Sequence, residues 1–110
     1  MTIERVKQLT DVFSANPQYM QMAIMLKNGI QQKLMSEISQ NEALALSRDI
    51  VMPSLKEKVI NLCRQSSNPN DELSLYCAAL VAGTILKELD NGNTEYVTNQ
   101  GLLSIINQFA

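Results

Sequence analysis

The side chains that could do chemistry in this 110-residue chain are eleven carboxylates, nine Lys and Arg, two cysteines and three tyrosines; histidine is absent. Without it the chain lacks the commonest general base and metal ligand, and no Ser-His or Cys-His nucleophile can be assembled. The carboxylates show neither the Glu-x-x-His spacing of carboxylate-metal helices nor a D-x-D-x-D-G calcium loop. Asp71-Glu72 reads as negative charge at a helix start, where the helix dipole favours it, and Asp49 beside Arg48 as a solvated pair. The four glycines form no phosphate-binding loop. Cys63 and Cys77 lack CxxC spacing and lie in apolar helical context, so they read as free buried thiols. Tyr76 reads as a core residue whose hydroxyl reaches an edge. Catalysis needs positioned acid, base or metal groups. The expectation is a protein that is not an enzyme and takes no cofactor and no metal.

What remains is binding, and one stretch draws the eye for it. Asn16 to Gly29, "NPQYMQMAIMLKNG", puts Met20, Met22 and Met25 into six positions of one expected helix. With Met20 set to zero and about 100° per residue, Tyr19, Ala23, Ile24, Leu26, Ile30, Leu34 and Met35 share a broad arc with it. That arc is the expected core face. Met22 and Met25 fall at about 200° and 140°, among Gln18, Gln21, Asn28 and Gln32, with Gly29 between them at about 180°. Glycine inside a helix costs about 1 kcal/mol against alanine, so something could use the space. Flexible, polarisable thioethers beside bare backbone would make a shallow, adaptable apolar groove. Three readings stay open: another helix of the chain covers this face, a protein partner or second copy binds it, or the methionines are simply exposed.

Helices must position these residues. Ile3, Val6, Leu9, Val12 and Phe13 give residues 2–14 an amphipathic stripe. "SANP" then opens a second helix, Pro17 to about Glu37, with Asn16 as side-chain cap and Pro17 at the first helical position. Ser39 or Asn41 begins a short helix at about 42–51. Pro53 pushes Met52 out of the helical region and starts another at 53–65, a kinked continuous helix being the alternative. A second S-x-N-P, Ser66 to Pro69, precedes a helix at about 70–89 that is apolar on nearly every side and so expected to be buried all round. Its Ala78, Ala79, Ala82 and Gly83 would let a neighbouring backbone come close. "DNGN" at 90–93 stops it. Thr94 can cap a last element holding Val97, Leu102, Ile105, Ile106 and Phe109, which Gly101 weakens, leaving open one helix or a short turn followed by a helix, and the apolar end of the chain is expected to dock. No stretch alternates with period two. The fold expected over residues 1–110 is one all-α domain, a compact bundle of five to six helices around the 70–89 helix.

The bulk numbers agree with one domain and remove several partners. Apolar residues make up 45% and charged residues 18%, which is globular rather than disordered. A net charge of −2 with the cations evenly spread makes no basic stripe, so nucleic acid is not an expected partner. "MTIERVKQLTDVF" has no apolar core of a signal peptide, and Leu73–Leu86 is too short to span a bilayer. No membrane is expected, and a cytoplasmic, soluble protein is.

The order of segments resembles small all-helical immunity proteins that protect bacteria from toxins delivered by type VI secretion or contact-dependent inhibition. The likeness runs over residues 2–86, through "NPQYMQMAIMLKNGIQQKLM" to "NPNDELSLYCAALVAG", with Pro17, Tyr19, Asp71, Glu72 and Leu73 as its specific points. It implies a protein that binds a cognate toxin domain and blocks its active site or docking surface, a role needing no catalytic residue. The partner-binding residues on this reading are Gln18, Gln21, Met22, Met25, Asn28, Gly29 and Gln32. The competing roles are a chaperone or adaptor for a secreted protein and a homodimeric structural subunit.

Overall fold

A computed structural model describes residues 1–109 of the chain. Six α-helices follow one another: α1 (Ile3–Ala15), α2 (Pro17–Glu37), α3 (Gln40–Ser47), α4 (Pro53–Ser66), α5 (Glu72–Leu89) and α6 (Asn99–Phe109), with a 3-10 turn at Thr94–Val97 before the last. There is no strand among the described residues, so the fold is an all-α bundle of the expected size. The expectation for the apolar chain end falls on Ala110, outside the described residues; Phe109 beside it is buried.

α5 is the centre. It touches α1, α2, α4, α6 and the 3-10 turn, and the small residues expected to permit this do so. Ala78, Ala79, Ala82 and Gly83 are all buried. A Cβ added at Gly83 would run into the backbone carbonyl oxygen of Tyr96, so the 3-10 turn rests directly on the α5 backbone. Gly101 plays the same part from the other side, its missing side chain leaving room for the carbonyl of Glu95. The helix is not buried all round, however. Leu73, Leu80 and Thr84 are half-buried, and they fall on one strip because residues three, four and seven apart share a helix face.

The helix ends follow local chemistry, with corrections. Thr2 caps α1, accepting from the Arg5 amide. Asn16 precedes α2 without a side-chain cap bond; its amide donates backward to the Val12 carbonyl at 2.9 Å, closing α1, so Pro17 alone starts α2. Ser39 and Glu42 form a reciprocal capping box on α3. α3 stops at Ser47, well before 51, because Asp49 turns left-handed at φ 56°. Met52 is extended at ψ 139° and Pro53 begins α4, so the two pieces are separate helices rather than one kinked one. The second S-x-N-P does not copy the first: Asn68 accepts from the Asn70 amide through its side chain, drawing Pro69 into a turn. Asp71 then caps α5, accepting from the Leu73 amide at 3.2 Å. After α5, Asn91 and Gly92 both take positive φ. Asn93 caps the 3-10 turn and Thr98 accepts from the Gly101 amide, so Thr94 is not the cap.

Two lysines of α4 fasten the bundle's corners. Lys58 donates to the Glu37 carbonyl at the end of α2 and to the buried carboxylate of Glu42 on α3. The bond from Lys58, followed by that from the Ser39 amide, holds the Glu42 carboxyl at a pKa of about 2 against an ordinary 4.5. Lys56 donates to Tyr96 at 3.1 Å and to Asp90 at 3.3 Å, tying the end of α5 to the 3-10 turn. The Tyr96 bond, more than Asp90, raises the Lys56 pKa, and the bond from Asn93, followed by that from Lys56, lowers that of Asp90.

Candidate functional site

α2 meets the core along a narrow face. Ala23, Ile30 and Leu34 are its buried residues, with Tyr19 and Leu26 packed alongside. The true centre of this face lies about 60° from Met20 on the helical wheel. Met20 is 45% exposed, Ile24 57% and Met35 64%, so their expected place in the core is wrong. An arc drawn around Met20 is too wide and centred too far toward Ile24 and Met35. The face that packs is set by Ala23, Ile30 and Leu34, the buried residues of the helix.

Met22 and Met25 lie away from the core face, where the wheel places them. Met22 is 58% and Met25 74% exposed, so no other helix of the chain covers them. Gln18, Gln21, Asn28, Gly29 and Gln32 are exposed as well, and nothing lies within 4 Å of where a Cβ would stand on Gly29. All seven thus share one open side of α2. They do not converge on a point. Asn28 and Gln32 border a shallow hollow beside Met35, whereas Met22 leans the other way, into a deeper groove.

That groove, about 450 Å³ in volume, lies where the α1–α2 corner faces the α4–α5 corner. Phe13, Tyr19, Met22, Leu26, Leu73 and Cys77 supply its apolar walls, and Ser66, Asp71 and Ser74 its polar rim. The aromatic part is stacked: the Phe13 and Tyr19 rings lie 5.8 Å apart and 20° from parallel, with Tyr76 behind at 5.2 Å. Phe13 reaches the groove from the buried stripe of α1. Tyr19 comes from the first turn of α2, set by Pro17. Asp71 is fixed by its capping bond.

A second apolar furrow runs on the other flank of α2. Met20, Ile24 and Lys27 face Leu80 and Thr84 of α5 across about 270 Å³. Farther along, Lys27 and Gln31 both donate to Glu88 and bridge the two helices. The wheel gave no sign of this furrow because it had assigned Met20 and Ile24 inward. The signal was nonetheless present: apolar residues circle more of α2 than one buried face can use.

The thiols are placed as the sequence implies. Cys63 and Cys77 are free and buried, and burial pushes both upward in pKa, Cys63 to about 12. Such thiols are protonated at neutral pH and poorly nucleophilic. Tyr76 is buried too, and no helix among the described residues is long and apolar enough to cross a membrane. Comparison with protein-family models, with curated proteins and with solved structures returns no match.

Proposed function

We propose that this protein acts in the cytoplasm by binding another protein through the open side of α2, without catalysing a reaction, and that the partner is a toxin domain which it neutralises. One observation carries the binding reading. Of the nine large apolar side chains exposed among the described residues, five belong to α2: Met22 and Met25 on its open side, and Met20, Ile24 and Met35 on the adjoining flank. Single exposed apolar residues are ordinary on any surface, but their concentration on one element marks contacts. Methionine suits such a surface because its side chain adapts to the partner's shape. The toxin-neutralising part rests on the resemblance to immunity proteins, and the fold supports it in one respect. Tyr19, Asp71 and Leu73, three of the residues that carry the resemblance, line the same groove.

The test is a pull-down of tagged protein from cells expressing its whole native operon, with the double variant Met22→Glu/Met25→Glu alongside. A stoichiometric toxin captured by the parent and lost from the variant is the expected result. A secretion-apparatus client in its place would make the protein a chaperone. Recovery of the protein alone, from cells confirmed to express the neighbouring genes, would overturn the reading in favour of self-association.

A further inference from the structure

The groove between the α1–α2 and α4–α5 corners has features of a built pocket that the exposed side of α2 alone lacks. Its volume of about 450 Å³ falls within the roughly 300–1,000 Å³ common for small-molecule sites. Its apolar lining includes the stacked rings of Phe13 and Tyr19 and the buried Cys77. Its polar groups all stand on one side and come from the α4 end and the α5 start. Ser74 accepts from the Asn68 amide at 2.9 Å and keeps its hydroxyl proton, while Ser66 and Asp71 have acceptor capacity left over. The Ser66 hydroxyl has given its proton to the Leu62 carbonyl at 2.9 Å. Asp71 spends one carboxylate oxygen on the Leu73 amide and makes no ion pair among the described residues, whereas its neighbour Glu72 is paired with Arg5. An apolar slot with an unneutralised carboxylate at its rim fits an apolar group that carries a cation.

We infer that this groove is the pocket for an anchor of the protein partner, an aromatic or leucine side chain with a lysine or arginine next to it, the apolar group entering over Tyr19 and Leu26 and the cation meeting Asp71. This inference rests on the reading of the protein as a binding module and names the chemistry of its partner. An anchor of this kind is how interfaces concentrate affinity: one large side chain fills a desolvated pocket while the surroundings exclude water. Met22, at the edge of the groove, joins the pocket to the Met25 side of α2, so one partner helix could use both.

The experiment is a titration of the isotope-labelled protein with acetyl-Phe-Lys-amide, followed by amide shifts in NMR. Acetyl-Phe-Gln-amide, acetyl-Phe-Glu-amide and 2-phenylethylammonium serve as controls. Expected are shifts at Tyr19, Leu26, Leu73 and Cys77, with the Lys peptide binding about two- to fivefold tighter than the Gln peptide, the range of an exposed ion pair, and the Glu peptide weakest. Asp71→Asn, which keeps a good helix cap, should bring the Lys and Gln peptides to equal affinity. The inference is overturned by absent shifts at these residues, by a Lys preference that survives Asp71→Asn, or by binding of 2-phenylethylammonium without the peptide, which would make this a site for a free amine. None of these results depends on the pull-down, so the pocket and the binding reading can fail separately.

Discussion

α2 and α5 are the two longest helices, and both are rich in apolar residues, yet they meet opposite fates. α5 is surrounded by five other elements; α2 buries only Ala23, Ile30 and Leu34 and leaves five large apolar side chains in the open. The difference lies in which small residues separate the large ones. In α5, Ala78, Ala79, Ala82 and Gly83 are contiguous enough in space for backbones to come in from several directions. In α2 the spaces between apolar residues are filled by Gln18, Gln21, Asn28, Gln31 and Gln32, whose amides need water or partners once buried. Apolar content alone therefore does not decide burial; what stands between the apolar residues does.

The two interior glycines break this comparison most sharply, because one substitution should have opposite signs. Gly83→Ala drives a methyl group into the Tyr96 carbonyl, which is backbone and cannot rotate aside. Overpacking of this kind typically costs about 1–3 kcal/mol, and the 3-10 turn and α6 should loosen with it. Gly29→Ala meets nothing and removes the conformational freedom of a mid-helix glycine, so a gain of up to about 1 kcal/mol is expected. Urea denaturation of both variants checks the pair. Equal losses would mean that the exposed side of α2 is in fact packed.

Much of this contrast was legible beforehand, and the failures have identifiable causes. Helix α2 begins and ends where Pro17 and the Ser39 capping box dictate, since proline geometry and capping bonds are local. The centrality of α5 follows from composition over many residues. Which flank of α2 touches the core was not legible for Met20, Ile24 and Met35, because a wheel orders directions around a helix without saying how wide the contact is. The neighbouring helices set that width, and here they bury only Ala23, Ile30 and Leu34. The groove was legible only in parts. Tyr19, Asp71 and Leu73 stood out in the sequence, but their meeting depends on the crossing of α2 over α5. The Glu42–Lys58 contact was also missed, since both residues look like ordinary surface charges until the α2–α3 corner folds onto α4.

That contact gives α3 an acid-sensitive fastening to α4. Glu42 is buried, and its carboxyl is held at about 2 chiefly by Lys58 and by the Ser39 amide. A carboxyl whose folded pKa lies below its unfolded value stabilises the fold fully above the unfolded value. That stabilisation is lost as pH falls from about 4.5 through about 2. Asp90 is also lowered, so the α5 corner weakens in the same direction under acid. Melting temperatures between pH 7 and pH 2 should therefore fall on acidification, and Glu42→Gln should flatten the fall while lowering stability at pH 7. If the variant keeps the parent's full pH dependence, Glu42 is not the fastening.

The smallest expected effect is the most discriminating. Ile24 shares an arc with Met20 and reads from the sequence as core, where truncation to alanine would cost about 2–5 kcal/mol. In the structure it is 57% exposed, at the edge of the furrow beside Leu80 and Thr84. Substitutions at such sites usually fall within about 0.5 kcal/mol, and alanine's higher helix propensity partly offsets the lost contact. Ile24→Ala should thus leave the urea midpoint of the isolated protein almost unmoved. A loss of several kcal/mol in dilute protein would put this flank of α2 inside the fold. A loss that appears only at high protein concentration would instead mean that a second copy covers the furrow, because self-association stabilises by mass action.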